Sequence, residues 1–288
     1  MKHGILMVSA LALLASCEKA KDATSQIEDD LPPGEVRLIG AGVDPKVKLR
    51  YEVAKGTSVT LDMVMKIKID AGGLPVPQLP VIKMSMTEDC TEVDADGNMR
   101  FEVKVGSMTS DGSGQMAQAM DMVGDMMKNM VYRFRMSPSG KVDDVQVEGL
   151  TGPMAELGTS MKDSIEQFAA PLPEEPVGKG STWKFKRTGE ANGVKMATVN
   201  QFELIDYKDQ VATFKVNGRV VAPAQTINKN GMTVNLEKMD GNVSGTIAND
   251  LKRFAPAGTF GMTMNMKMSA SGQKISMKMT MDSEITAH

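Results

Sequence analysis

Between Phe260 and Ile285 apolar and polar residues alternate. Met262-Thr-Met264-Asn-Met266-Lys-Met268 is followed by a polar Ser269-Ala-Ser-Gly272-Gln stretch, then Ile275-Ser-Met277-Lys-Met279-Thr-Met281. Side chains alternate faces along a strand, so each arm puts methionines on one face and Thr, Asn, Lys and Ser on the other. The pattern predicts a β-hairpin with a thioether face and a wet face. The same signature recurs at Met63/Met65 and Met84/Met86.

Alternation also predicts strands over Val47–Val53, Val59–Ile69, Val81–Thr87 and Phe101–Val105, the last two joined at Asp96-Gly97. A short hairpin, Val131–Met136 and Val142–Val147, turns at Ser137-Pro-Ser-Gly140. Later strands are Thr182–Arg187, Val194–Ile205, Val211–Ala222, Met232–Lys238 and Val243–Ala248, with turns at Asn192-Gly193, Asn230-Gly231 and Asp240-Gly241. The period changes in the middle of the chain. Met116, Met120, Val123, Met127 and Met130 follow a three-four spacing, with Gly124 as a weak point. Met154, Leu157, Met161, Ile165 and Phe168 repeat that spacing until Pro171 and Pro173 stop it.

The sum is a mainly β (α+β) protein, a curved antiparallel sheet with two amphipathic helices packed on it, arranged as one large domain or two similar halves. Two halves are suggested by an internal echo: Lys55-Gly56-Thr57-Ser58 by Lys179-Gly180-Ser181-Thr182, Ile82-Lys-Met84-Ser by Val194-Lys-Met196-Ala, and Phe101-Glu-Val103-Lys by Phe214-Lys-Val216-Asn. The halves run over 35–170 and 171–288. The apolar, proline-bearing loop Ala71–Pro80 cannot be a central strand.

The N-terminus changes the picture more than composition does. Lys2 precedes an apolar run, Ile5–Leu14, too short to span a bilayer, and the run ends in Leu14-Ala15-Ser16-Cys17. This resembles the lipobox of bacterial lipoprotein precursors, which implies a signal peptide over 1–16, cleavage before Cys17 and lipidation of that cysteine. Glu18 follows, and the resemblance implies outer-membrane rather than inner-membrane residence. Two or more acyl chains anchor stably. Residues 17–34, charged and ending in Pro32-Pro33-Gly34, read as a lipidated tether. Loss of Lys2 leaves 33 − 1 = 32 basic against 36 acidic residues, a net charge of −4. With no basic cluster, nucleic acid is not an expected partner.

Candidate chemistry is sparse. The histidines are His3, in the signal segment, and His288, the last residue, so no internal histidine serves a nucleophile or a histidine zinc site. Asp94-Ala-Asp96-Gly97-Asn98 has a calcium-loop look, but its glycine comes too early and no closing glutamate follows, so it reads as a hairpin turn. No Gly-rich phosphate loop precedes a helix. The expectation is a protein without catalysis, cofactor or resident metal. Cys90, in step with Met84 and Met86, reads as a buried small hydrophobe.

The lipobox, tether, long strands, Val177-Gly-Lys-Gly-Ser-Thr-Trp183 after a proline-rich segment, and the late Leu251-Lys-Arg-Phe-Ala-Pro-Ala-Gly258 resemble a family of uncharacterised bacterial surface lipoproteins. More distantly the pattern is similar to the lipoprotein-carrier (Lol-like) architecture, whose concave apolar face accommodates acyl chains. These resemblances imply a lipid-anchored outer-membrane protein that binds a lipid or acyl chain. Its expected ligand face is Met63, Met65, Met84, Met86, Met262, Met264, Met266, Met277 and Met279. The alternatives are an envelope structural or interaction protein with a protein partner and no small ligand, and Cu(I) binding by the thioethers.

Overall fold

Period-two alternation becomes ladder hydrogen bonding over most of the chain. The computed structural model describes residues 31–149 and 170–288, apart from 73–75, 77, 192, 230–231 and 271–272. The first half holds β1 (Val36–Gly40), β2 (Ser58–Asp70), β3 (Ile82–Val93), β4 (Met99–Ser110), α1 (Gln115–Met127), β5 (Val131–Met136) and β6 (Val142–Glu148). The second holds β7 (Thr182–Ala191), β8 (Val194–Lys208), β9 (Val211–Ala222), β10 (Gln225–Lys229), β11 (Met232–Asp250), β12 (Ala255–Ala270) and β13 (Gln273–Ala287).

All thirteen strands among the described residues belong to one sheet, ordered β1-β7-β8-β9-β11-β12-β13-β2-β3-β4-β5-β6, with β10 added on β11. Every pairing is antiparallel, and β13 against β2 joins the halves, with Ile285 opposite Met63 and Met281 opposite Ile67. The protein is thus mainly β, with one helix among the described residues. The second predicted helix, Met154–Phe168, lies outside them, as do the turn residues Asn192, Asn230 and Gly231. In α1 the weak helix former Gly124 has a packing reason: a Cβ there would collide with the Met108 carbonyl oxygen on β4.

Two sequence expectations fail locally. Val47–Val53 alternates like a strand, but outside a bridge between Val47 and Val177 it forms no ladder. Its backbone bonds to loops instead: Tyr51 N–H donates to Pro138 O at 2.8 Å and Glu52 N–H to Leu251 O at 2.9 Å. Leu49, Tyr51 and Val53 are nonetheless buried, because the segment lies across the sheet as filling. Asp240-Gly241 makes no turn. It lies within β11, which runs on so that one side of the strand serves β9 and then β10.

One buried cluster unites strands far apart in the sheet order, from Phe101 and Phe134 to Trp183 and Phe214, so the sheet curls around its contents. Tyr51 and Phe254 meet edge to face at 5.4 Å, and Phe101 stacks on Phe134 at 5.3 Å. Trp183 stacks on Phe202 at 5.7 Å and donates its indole N–H to Pro171 O at 2.8 Å.

The segments of the sequence echo are built alike. Gly56 N–H donates to Cys90 O and Cys90 N–H to Thr57 O; Gly180 N–H donates to Leu204 O and Leu204 N–H to Ser181 O. Both glycines have positive φ. Cys90 then faces Phe101 and Leu204 faces Phe214, and each ladder shifts register there, between Cys90 and Glu92 and between Leu204 and Asp206. Where α1 bridges β4 and β5, the short β10 bridges β9 and β11.

Candidate functional site

Cross-strand register assigns the faces. Met262, Met264 and Met266 on β12 lie opposite Met281, Met279 and Met277 on β13. Ile67 and Ile69 on β2 continue from Met281 and Met279, and Met63 faces Met84 on β3. Directly opposed residues share a face. All the methionines of the predicted ligand face therefore occupy one side of the sheet, the concave side that carries the core.

Their environments differ. Met63 and Met86 are 6% exposed and belong to the packed core. Met65 and Met84 pack on its margin. Met262, Met264, Met266, Met277 and Met279 are half-buried. Toward the far end of the second half, Val220, Ala222, Leu236 and Met239 form a separate apolar cluster against which Met264 and Met266 pack. Cys17 lies outside the described residues.

Between the main core and that cluster lies a cleft of about 730 Å³. Its floor is the concave face: Phe185 and Arg187 of β7, Met196 and Thr198 of β8, Val220 of β9, and Met262 and Met264 of β12. The opposite wall is the β5–β6 turn, Ser139–Val142, with Pro171, Leu172 and the following glutamates. Leu172 N–H donates to Ser139 O at 2.9 Å, which ties the two parts of that wall together. The volume falls within the ~300–1,000 Å³ usual for small-molecule sites.

Charge in the cleft is placed by strand alternation. Trp183, Phe185, Arg187 and Gly189 alternate onto the concave face, and the exposed Thr188 and Glu190 also line the cleft. The Arg187 guanidinium carbon sits 4.8 Å from the centre of the Phe185 ring, a cation–π contact. At the rim, Glu174 pairs with Arg50 and Lys48, and Glu175 is exposed.

Sequence reasoning found Met262 and Met264 but missed Phe185, Arg187, Met196 and Thr198. The signal was present in the alternation Trp183-Lys-Phe185-Lys-Arg187. What the sequence lacked was the wall, which comes from residues distant in sequence. A second depression, of about 560 Å³, has mixed charges, with Lys66, Lys215, Asp282 and Glu284 along it. Cys90 is buried as expected, and burial pushes its thiol up. Asp94 caps its own turn, accepting from the backbone of Asp96 at 3.0 Å and of Asn98 at 2.9 Å, which is the hairpin-turn arrangement. Among the described residues no group of three or more His, Cys, Asp or Glu converges as a metal site, and no helix is long and apolar enough to cross a membrane.

A family model for a family of unknown function (DUF6263) matches residues 156–253. The match spans β7 to β11, including Phe185, Arg187 and Val220, and stops short of the closing methionine hairpin. No curated protein matches the chain.

Proposed function

We propose that this protein is a lipid-anchored envelope protein, tethered to the outer membrane through Cys17, that holds an acyl chain in the cleft of its concave face without chemistry on it. The observation that supports this reading is the cleft of about 730 Å³ with Met262, Met264, Met196 and Val220 along its floor. Thioether side chains adapt their shape to a flexible apolar guest at low cost. A concave, largely apolar cavity with few polar groups is the usual form of a small-ligand site.

The test is native mass spectrometry of a Cys17→Ser chain purified from the periplasm without detergent. A discrete extra mass that extracts as lipid is the expected result. An apo mass that takes up no added fatty acid or phospholipid would overturn the reading. A protein-partner reading draws on α1, where Met122 and Met126, one helical turn apart, are 66% and 43% exposed. Pull-down with and without Met122→Lys and Met126→Lys tests it.

A further inference from the structure

We propose that Met196, Met262 and Met264 form a reversible oxidation site on the floor of the cleft, with hydrogen peroxide as the oxidant, and that their oxidation releases the bound chain. The proposal rests on the acyl-chain reading of the cleft. What carries it is how differently the fold treats its thioethers. Met99 and Met136 face each other across β4 and β5 and are fully buried. Met63 and Met86, 6% exposed, face Met84 and Leu61. A dissolved oxidant does not reach these side chains in the folded protein. Met196 and Met264 have an open flank instead. Across the ladder Met196 lies opposite Gly189, and Met264 lies opposite Gly241. A Cβ on Gly241 would come within 2.8 Å of the Met264 Cγ, so the missing side chain gives this thioether its place. Met262 follows on the same face of β12, and all three methionines are half-buried and line the cleft.

The chemistry of such a site is a two-electron oxygen transfer. A sulfur lone pair attacks one oxygen of the peroxide and the O–O bond breaks. The hydroxide that leaves takes the remaining hydroxyl proton and departs as water, so the thioether is oxidised to a sulfoxide and the peroxide is reduced. Methionine sulfoxide reductases reverse the step with two thiols, which become a disulfide while the oxygen leaves as water. A sulfoxide is polar where the thioether was apolar. On this floor a hydrocarbon guest would strip it of water with nothing to replace the lost hydrogen bonds. In the empty cleft the same group stays hydrated, because all three side chains reach solvent there. The cost therefore falls on binding and not on the fold, whereas a sulfoxide at Met99 or Met136 would break the core. No thiol competes among the described residues, since Cys90 is 1% exposed.

The experiment doses the full chain carrying Cys17→Ser with hydrogen peroxide, maps sulfoxide at each methionine by peptide mass spectrometry, and measures decanoate affinity by calorimetric titration. Met122 on α1, 66% exposed, is the reference for free reaction, and Met99 and Met136 are the references for none. Met196, Met262 and Met264 are expected to oxidise after Met122 and well before Met99 and Met136. The oxidised protein should bind decanoate at least about tenfold more weakly while keeping its urea midpoint. Methionine sulfoxide reductases with dithiothreitol should restore the affinity. An occupied cleft excludes the oxidant, so saturating decanoate should slow oxidation at the three cleft positions and leave Met122 unchanged. A Met196→Leu/Met262→Leu/Met264→Leu variant, compared with its own untreated form, should show no change in decanoate affinity on peroxide treatment. Unchanged affinity in the oxidised wild type, the same loss in the triple variant, or no protection by decanoate overturns the proposal and leaves the acyl-chain reading standing. The protection measurement needs no variant and decides the matter if the triple variant does not fold. No decanoate uptake by the untreated protein removes the acyl-chain reading and this proposal with it.

Discussion

Glu88 gives the sharpest test of how the core is built. Along β3, Met86, Glu88 and Cys90 point inward, and Glu88 lies between Val59 of β2 and Val103 of β4. It is 5% exposed, and its Oε1 has no hydrogen-bond partner among the described residues. Burial, with a smaller contribution from the neighbouring Asp89 charge, holds its pKa well above the ordinary 4.5. In the other half the equivalent position is Phe202, stacked on Trp183 where Glu88 has Val59. An apolar residue therefore fits this site. Glu88→Met, unbranched and of similar length, removes a buried unsatisfied group and should stabilise the fold by about 1–3 kcal/mol at pH 7.

The sign of the pH dependence follows from linkage. Below about 4.5 Glu88 is protonated in both states and carries no ionisation penalty. As pH rises above that, the unfolded chain releases the proton while the folded chain keeps it, so stability falls by up to about 1.4 kcal/mol per pH unit until the folded group ionises. Glu88→Gln should flatten this slope and Glu88→Met should both flatten it and raise the plateau. Urea unfolding from about pH 4 to 8, followed by the fluorescence of the single tryptophan, Trp183, reads this out. Parallel pH profiles for wild type and Glu88→Gln, or a destabilised Glu88→Met, would refute the reasoning.

Other substitutions probe the frame around the cleft. A Cβ at Gly178 would collide with the Val43 carbonyl oxygen, whereas one at Gly180 meets open space and only a left-handed φ of +77°. Gly178→Ala should therefore cost more in urea unfolding than Gly180→Ala, whose backbone penalty is about 1–2 kcal/mol. Trp183→Phe leaves Pro171 O without its indole donor and should cost about 1–3 kcal/mol by thermal or urea unfolding. Replacing Met264, Met266, Met277 and Met279 together with leucine should cost less than about 1.5 kcal/mol per site and preserve fatty-acid uptake; loss of Cu(I) uptake in the same variant, against a weak thioether chelator, would instead favour a metal role.

The legible part of this fold is the part that is local. Strand alternation fixes which residues share a face, so the side-chain directions along Met262–Met268 and Ile275–Met281 can be read before any tertiary contact is known, and β12–β13 pairs accordingly, Met264 against Met279. Depth along a face is different. Met63 and Met279 have the same kind of neighbours in sequence, yet Met63 is core and Met279 half-buried. Among the described residues, Leu49, Tyr51 and Val53 of the Val47–Val53 segment and Leu172 share the core cluster to which Met63 belongs, and Met279 lies outside it. That packing explains the false strand at Val47–Val53, whose alternation reflects burial without a ladder.

The echo between halves adds a kind of information that neither half holds alone. Matched turns, matched bulges and matched Cys90–Phe101 and Leu204–Phe214 pairs establish a common frame. Within that frame every difference has a location. At the position of Glu88 the second half has Phe202, a polar group exchanged for an apolar one in a closed environment, and the expected consequence is a change in stability alone. At the positions of Met63 and Met84 the second half has Arg187 and Thr198, apolar groups exchanged for polar ones where the face opens into a cleft. Desolvation penalises both kinds of buried polar group. The first kind lies in a closed environment and the second in the other half of the sheet where the face opens, so the stability changes of Glu88→Met and Arg187→Met should add in a double variant, read by urea unfolding at one pH.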